Sequence, residues 1–208
     1  GLTSLGDTDD VLIARTLRDS FDVAGEEPPF DIVSMSFGGY CEDDDPPIAI
    51  AEAIAVIQAR YRTEDDIADP PDRIHDRVVF VASAGNNGSC RPTWPASFEN
   101  VIAVGALGPD GRAWFSNYGP WVDACAPGVD VVSTFYDITE EAEYDGEDFN
   151  GWAMWSGTSF SAPTVAASIA WEWMCRENRG RPGEAAQWLL DRPGHYRYPW
   201  LGTVGNPH

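Results

Sequence analysis

One continuous apolar run, residues 78–82 (Val-Val-Phe-Val-Ala), constrains the fold more than any other part of the sequence. The run is short and rich in β-branched residues, which is typical of a strand covered on both faces. Strand patterns also occur at residues 31–36, 101–105 and 129–133, and helical patterns at residues 7–21, 48–61, 158–176 and 183–190. This alternation predicts an α/β fold, with a doubly wound, mainly parallel sheet and helices on both faces.

The length of 208 residues suits one well-buried domain, so we interpret residues 1–208 as a single domain. Acidic residues are concentrated between the predicted elements, at residues 42–45, 63–76 and 137–148, and these segments are predicted to be surface loops. Residues 193–208 contain His, Tyr, Trp and Pro without a clear period, which predicts an irregular C-terminal strap.

The chain is strongly acidic, with 34 Asp and Glu against 13 basic residues and a net charge of -21; every basic residue is an arginine. Such a field repels nucleic acid and anionic lipid and attracts cationic peptides or metal ions, although it also serves general solubility or adaptation to salt. No run of 18 apolar residues occurs, so we expect no membrane span. Nucleic acid and membranes are therefore not expected partners.

Three glycine-containing motifs lie where a site should form, since loops at the carboxyl ends of parallel strands build the site of an open α/β sheet. Ser36-Phe37-Gly38-Gly39 closes one strand, Ser83-Ala84-Gly85-Asn86-Asn87-Gly88 follows another, and Ser156-Gly157-Thr158-Ser159 opens a helix. Ser159 suits an acyl-transfer nucleophile beside orphan helix N–H groups, and Asn86 offers an amide donor to an oxyanion. Alternatively, Ser159 is only a helix-start residue and Asn86 only holds a turn.

In this order and context, the motifs resemble the subtilisin-like serine proteases (subtilases). The resemblance covers roughly residues 31–174 and further includes residues 101–106, Phe115-Ser116-Asn117-Tyr118-Gly119, Ala126-Pro127-Gly128 and Pro163. It implies that Ser159 attacks the scissile carbonyl of a polypeptide substrate while Asn86 and the Ser159 amide hold the tetrahedral oxyanion.

The resemblance also implies how a peptide is bound. Ser36, Phe37 and Gly38 would pair with an extended peptide as an added strand. Ser83, Ala84 and Gly85 would line the pocket for the side chain that precedes the cut. Residues 42–45 follow the substrate strand, and they either favour basic substrate residues or form only a solvated loop.

The rest of a subtilase triad is missing from the expected positions. Subtilases order their triad Asp, His, Ser, with the histidine in a His-Gly-Thr motif that is not found here. Asp7 is rejected as the triad aspartate because Asp7-Thr8-Asp9 lies at a helix start without a preceding apolar strand. His75 precedes the strand at residues 78–82, at the wrong end of the sheet, and His195 and His208 lie beyond the nucleophile helix.

Two explanations remain open. In the first, which we prefer, the N-terminal part of the catalytic domain is missing, and a separate N-terminal piece supplies Asp and His. The isolated chain would then be inactive or nearly so, because a serine without a positioned base is a poor nucleophile. In the second, the chain is a non-catalytic, peptide-binding pseudoprotease.

The four cysteines match no zinc spacing. Cys41 and Cys90 each follow a substrate-side loop, and these loops are neighbours in the fold that the chain resembles, so we expect a disulfide and an oxidising, secreted or extracytoplasmic location. Cys125 and Cys175 are expected in the core. No cofactor is required. Calcium often stabilises the family, and Asp123 and the acidic loops could supply oxygen ligands, but no metal site is predicted.

Overall fold

The computed structural model describes residues 9–62, 74, 77–137, 150–176, 180–192 and 197–205. Its elements in chain order are α1 (Asp10–Phe21), β1 (Ile32–Met35), a 3-10 turn (Glu42–Asp44), α2 (Ile48–Arg60), β2 (Val79–Ser83), β3 (Val101–Gly108), β4 (Gly111–Arg112), β5 (Ala124–Pro127), β6 (Val131–Asp137), β7 (Asn150–Trp155), α3 (Thr158–Cys175), α4 (Pro182–Asp191), β8 (Arg197–Tyr198) and β9 (Gly202–Val204). Within these ranges, no helix is both long and apolar enough to cross a bilayer.

The main sheet has the strand order β1-β2-β3-β5-β9-β8, with β4 paired to the end of β3. Pairing is parallel from β1 through β9, with Ser34 opposite Val81 and Phe80 opposite Val101; β4 and β8 pair antiparallel. The α/β prediction of a doubly wound, mainly parallel sheet is confirmed.

Alternate residues of β2 point into two different cores, as the two-residue period of a strand requires. Phe80 and Ala82 pack in a cluster that includes α1 and α2 residues, whereas Val79 and Val81 pack in a cluster that includes α3 and α4 residues. Every residue of β2 is buried. This explains why the run at residues 78–82 carries no polar alternation.

Helix α1 begins at Asp10, three residues later than the predicted start, because Asp9 caps it. The Asp9 side chain accepts a hydrogen bond from the Val11 amide at 2.9 Å, which satisfies one orphan donor of the first turn. At the other end, Phe21 is buried against Tyr61 and Phe80, with ring centroids 6.2 and 6.4 Å away. The helix is thereby fixed against α2 and β2.

The prediction for residues 129–133 was incomplete. This segment begins β6, which pairs antiparallel with β7 in a separate two-stranded sheet rather than joining the parallel one. β7 ends at Trp155, directly before the loop predicted to carry the nucleophile. The hairpin sheet therefore forms one wall of the site region.

Two short strands, β8 and β9, form in the described part of the irregular strap predicted for residues 193–208. β9 pairs in parallel with β5, and the Thr203 hydroxyl donates to the Leu190 carbonyl at 2.7 Å. The bend into β9 requires Gly202, which has a φ of 72° and where a Cβ would come within 1.8 Å of the Asp123 carbonyl oxygen. Such short segments become strands only because neighbouring strands pair with them, so their own residues show little of the alternation that predicts a strand.

Candidate active site

Three loops meet at the carboxyl end of the parallel sheet, as the motifs predict. The Ser36 hydroxyl, just past β1, donates to the carbonyl oxygen of Ser159 at 2.8 Å. The Gly85 amide, just past β2, donates to the Thr158 hydroxyl at 3.1 Å. The start of α3 is thus bonded to both strand ends.

Ser159 is the second residue of α3 and is half-buried. Its hydroxyl donates to the Ser36 carbonyl oxygen over a long 3.4 Å. A carbonyl accepts a hydrogen bond but cannot remove the proton, so this contact orients the serine without activating it. The amide of Ser159 lies in the first turn, where N–H groups lack intrahelical partners.

The Ser36 bond has a specific cause in α3. Pro163 lies inside the helix four residues after Ser159, and it lacks the N–H that would otherwise bond to the Ser159 carbonyl. The Ser36 hydroxyl supplies the missing donor to that carbonyl. The two residues together hold the nucleophile turn against β1.

Asn86 is anchored by its oxygen and offers its nitrogen. Oδ1 accepts from the Thr158 amide at 2.8 Å and from the Thr158 hydroxyl at 2.9 Å. Nδ2 makes no hydrogen bond to any residue in the described part of the chain, and the side chain is exposed. The network therefore assigns the amide orientation and leaves Nδ2 free near Gly157, where a built Cβ would lie 3.4 Å from it.

Asn117 holds the loop that carries Asn86. Its Nδ2 donates to the Ala84 carbonyl at 2.9 Å, and its Oδ1 accepts from the amides of Asn87 and Ser89 at 3.0 and 3.1 Å. Gly85 has a φ of 98°, and a Cβ there would lie 2.6 Å from Asn117 Nδ2, so no other residue fits. The sequence named Asn117 only within a family motif; its role as a buried clamp was missed, although a polar residue inside that motif was a usable signal.

The strand proposed to bind substrate has a free side. Gly39 exchanges both backbone hydrogen bonds with Trp94, at 3.0 and 2.9 Å. Residues 36–38 follow the end of β1, and the backbone of Gly38 makes no hydrogen bond to any residue in the described part of the chain. Ser36, Phe37 and Gly38 are all exposed.

The segment proposed to line a pocket is rigid. Ser83 and Ala84 are buried, and the Ala84 amide and carbonyl bond to Val104 and to Thr93 and Asn117. The Gly85 amide and carbonyl bond to Thr158 and Asn117. These residues can form a fixed wall, but few of their donors remain free.

The candidate acids and bases lie outside the described residues. This applies to Asp7 and to all three histidines, His75, His195 and His208. The described ranges contain no histidine, so the geometry places no base beside Ser159.

All four cysteines are free thiols in the structure, so the expected Cys41–Cys90 disulfide is not formed there. Arg91 joins the two loops instead. Its Nη2 donates to the Cys41 carbonyl at 2.8 Å, its Nε pairs with Asp44, and its guanidinium lies 4.7 Å from the centre of the Tyr40 ring. Burial, followed by the charge of Asp10, raises the pKa of the Cys41 thiol.

The other two cysteines differ from each other. Cys125 is buried as expected, and burial raises its pKa to about 12. Cys175 was wrongly placed in the core: it is the last residue of α3 and is exposed, because only the first part of the helix is covered by the sheet.

No group of three or more acidic, cysteine or histidine side chains lies together as a metal site within the described ranges. Asp123 is buried, and its Oδ2 accepts from the Ala103 amide at 2.8 Å, so its carboxylate ties β3 to the start of β5. The oxygen ligands of the described residues therefore do not fit a calcium ion.

Comparison with known proteins gives a consistent result. A family model described as the subtilase family matches residues 4–192. A thermophilic serine proteinase of Bacillus sp. (strain AK1) is 54% identical over 93 residues, which is 44% of this chain and 20% of that protein. An extracellular basic protease of Dichelobacter nodosus is 38% identical over 94 residues, 45% of this chain and 15% of that protein.

Among solved structures, a cold-adapted subtilisin-like serine proteinase aligns with a TM-score of 0.67 and 22% identity, covering 98% of this chain and 64% of that one. The likeness extends over the whole fold described above. The chain spans a fifth or less of the two curated relatives and under two thirds of this structural neighbour.

Proposed function

This chain belongs to the subtilase family, and on that premise we propose that it carries the nucleophile, oxyanion hole and substrate strand of a serine endopeptidase. Ser159 is the nucleophile, and Asn86 Nδ2 with the Ser159 amide holds the oxyanion. The observation that carries the proposal is the Asn86–Thr158 pair of hydrogen bonds, which leaves the amide nitrogen of Asn86 free at the start of α3.

The chemistry follows from which atoms are already bonded. Ser159 Oγ attacks the scissile carbonyl, and its proton must pass to a base. The developing oxyanion accepts from Asn86 Nδ2 and from the Ser159 amide, both fixed before the reaction, so little reorganisation is needed. The peptide lies along Ser36, Phe37 and Gly38, pairing with the free backbone side of Gly38.

The base and its partner aspartate come from a segment outside the described residues. β1 pairs with β2 on one side only among the described strands, and α3 packs across it. A parallel strand added beside β1 would bring its carboxyl end next to Ser36, which itself contacts Ser159. An aspartate at that end, with a histidine on a neighbouring helix, completes a triad, and the open sheet edge is covered.

A fluorophosphonate probe, which labels only an activated serine, tests this. We would compare residues 1–208 alone with the same residues plus the proposed N-terminal segment, each beside a Ser159→Ala control. We expect weak or no labelling of the chain alone and strong labelling of Ser159 with the segment present. Equal labelling of the two would overturn the dependence on the segment.

The described ranges contain no histidine, and this favours one alternative, a non-catalytic peptide binder. The same experiment separates the two functions. If no form of the protein labels at Ser159 but an extended peptide still binds, as detected by tryptophan fluorescence, the binder is correct and the peptidase proposal fails.

A polypeptide substrate and a location outside the cytoplasm complete the proposal. The Dichelobacter nodosus relative is named as extracellular, which supports the location. All four thiols are free in the structure, so the cysteines do not support this location.

A further inference from the structure

The loop that follows β2 reaches two parts of the proposed site. Asn86 lies near its start, and Trp94, near its end, exchanges two backbone hydrogen bonds with Gly39 at 3.0 and 2.9 Å. Gly39 directly follows residues 36–38, the peptide-binding segment, along which the peptide is proposed to lie. Residues 84–94 therefore connect the oxyanion donor to the peptide-binding segment.

Within this loop, the side chain of Arg91 makes three contacts with residues just past the peptide-binding segment. Nη2 donates to the Cys41 carbonyl at 2.8 Å, Nε pairs with Asp44, and the guanidinium carbon lies 4.7 Å from the centre of the Tyr40 ring. Arginine can make all three contacts at once because its guanidinium is planar, presents donors in fixed directions and stacks on aromatic rings. One side chain thus holds the chain just past the peptide-binding segment.

The backbone of Arg91 is fixed in the loop that carries Asn86. Its amide donates to the Ser89 hydroxyl at 3.0 Å, and the Ser89 amide donates to Asn117 Oδ1 at 3.1 Å. Asn117 in turn donates from Nδ2 to the Tyr40 hydroxyl at 3.3 Å. The contacts therefore close a ring from Arg91 to Tyr40 and back, and neither wall of the site can shift without breaking one of them.

Neither a direct part in the chemistry nor the stability of the fold accounts for these contacts. None of the side-chain hydrogen bonds of Asn86 and Ser159 in the described part of the chain involves Arg91. The Arg91–Asp44 pair is exposed, with side chains 43% and 49% accessible, and exposed pairs contribute little to the free energy of unfolding. The common effect of the contacts is on distance, because they fix how far residues 36–38 lie from Asn86.

We propose that Arg91 is a positioning residue that holds an extended peptide in register with the oxyanion donor. A peptide that pairs with residues 36–38 must also bring its scissile carbonyl within hydrogen-bond reach of Asn86 Nδ2. The loop from Asn86 to Arg91 sets that distance, and a misplacement of about 1 Å can cost on the order of 10²-fold in rate. The inference rests on the proposed function, since it assumes that a peptide crosses Ser159.

Two substrates separate positioning from chemistry in the complete protein, the chain with its proposed N-terminal segment. The first is an internally quenched peptide with several residues on each side of the cut, and the second is p-nitrophenyl acetate, which is too short to reach residues 36–38. Arg91→Met keeps an unbranched side chain but removes the guanidinium. We expect it to lower kcat/KM by roughly tenfold for the peptide and by less than about twofold for the ester.

Two control variants identify what the guanidinium supplies. Arg91→Lys keeps the charge beside Asp44 but loses the fork of donors and the planar face, so its kcat/KM for the peptide should stay within about threefold of that of Arg91→Met. Arg15→Met removes the same charge from an exposed pair with Asp19 on α1 and should leave both substrates unchanged. Full activity of Arg91→Lys, an unchanged rate of peptide cleavage in Arg91→Met, or equal losses for peptide and ester would each overturn the inference.

A failure of the proposed function gives a different result. A wild-type complete protein that cleaves neither substrate would overturn the peptidase, and hydrogen exchange would then decide the role of Arg91. Arg91→Met should accelerate exchange of the Gly39 and Trp94 amides, which bond to each other's carbonyls, by several-fold relative to Arg15→Met. Unchanged exchange at both amides would mean that Arg91 does not hold the peptide-binding segment, and the inference would be wrong.

Discussion

At the scale of single residues, the nucleophile turn depends on a partnership that spans 123 residues of sequence, between Ser36 and Ser159. Removing the hydroxyl in Ser36→Ala leaves the Ser159 carbonyl without a donor, because Pro163 cannot supply one. We expect a loss of about 0.5–1.5 kcal/mol in the free energy of unfolding, measured by urea melts, and slower fluorophosphonate labelling of Ser159.

A double-mutant cycle identifies the cause. Pro163→Ala restores the helix N–H, so Ser36→Ala should cost less than half as much in that background. Ser20→Ala is the matched control, since the Ser20 hydroxyl also bonds a helix carbonyl, that of Thr16, but on the exposed α1. Equal costs of Ser36→Ala in both backgrounds would contradict this account.

Thr158 holds Asn86, the proposed oxyanion donor, through its hydroxyl. Thr158→Val removes the contacts to Asn86 Oδ1 and the Gly85 amide while keeping the shape of the side chain. We expect roughly a tenfold lower rate of Ser159 acylation in the complete protein, since a misplaced donor stabilises the oxyanion poorly. Thr158→Ser keeps the hydroxyl and should restore most of the rate; no rescue by serine would show that the effect comes from packing.

The thiols make a prediction about alkylation and pH. Burial raises the pKa of Cys125 to about 12 from 9.0, so at pH 8 iodoacetamide should label exposed Cys90 and Cys175 long before Cys125. Because the folded state holds this proton more tightly, the associated stability is full below about pH 9 and is lost as pH rises toward 12. Mass spectrometry reads the labels, and early labelling of Cys125 would contradict its burial. A mass that changes with reductant would contradict the free thiols of Cys41 and Cys90.

At the scale of elements, the loop after β2 is held by Asn117, which is fully buried and makes hydrogen bonds to Ala84, Asn87 and Ser89. Asn117→Leu should cost about 2–5 kcal/mol, since several buried backbone groups lose their partners. Hydrogen exchange should accelerate at residues 84–89 first. Asn100→Leu, which removes a single bond to Gln58, is the control and should leave that loop protected; uniform exchange in both variants would argue against a local clamp.

The elements differ in how well their own residues predict them. Long apolar patterns predicted three elements correctly: the strand at residues 78–82 and the helices α2 and α3. Each of them contributes side chains to the buried clusters that cover the sheet. The pairing of β6 with β7 could not, because a β-branched run looks the same in a parallel sheet and in a hairpin. β8 and β9 have two and three residues, and only β5 and the bend at Gly202 make them strands.

At the scale of the whole molecule, the site is predictable to the extent that it uses loops at strand ends. Ser36, Asn86 and Ser159 meet because parallel strands end at one edge of the sheet. The long-range contacts around the site were not predictable. They are the Ser36 hydrogen bond that replaces the donor missing at Pro163, the hydrogen bonds of Asn117 to the loop after β2, and the bonds of Arg91 that join the Cys41 and Cys90 loops. Each depends on which side chains a folded neighbour brings within 3 Å or so, which no local pattern records.

The net charge of -21 leads to the last prediction, because 34 acidic residues against 13 arginines repel one another across the folded surface. The ion pairs of the described residues, such as Arg15–Asp19 and Arg77–Glu27, involve an exposed carboxylate and offset little of this repulsion. Salt shortens the Debye length from about 30 Å at 0.01 M to about 3 Å at 1 M, so it should stabilise the fold.

At pH 7 we expect Tm to rise by several degrees between 20 mM and 1 M NaCl, since about 1 kcal/mol shifts Tm by roughly 2–4 °C in a domain of this size. The control is the same titration near pH 4.2, the isoelectric point, where the net repulsion is nearly gone and the slope of Tm against salt should flatten. Differential scanning calorimetry gives both slopes. A slope at pH 4.2 as steep as that at pH 7 would mean that salt acts by strengthening apolar burial, and the acidic surface would then contribute little to the stability of the fold.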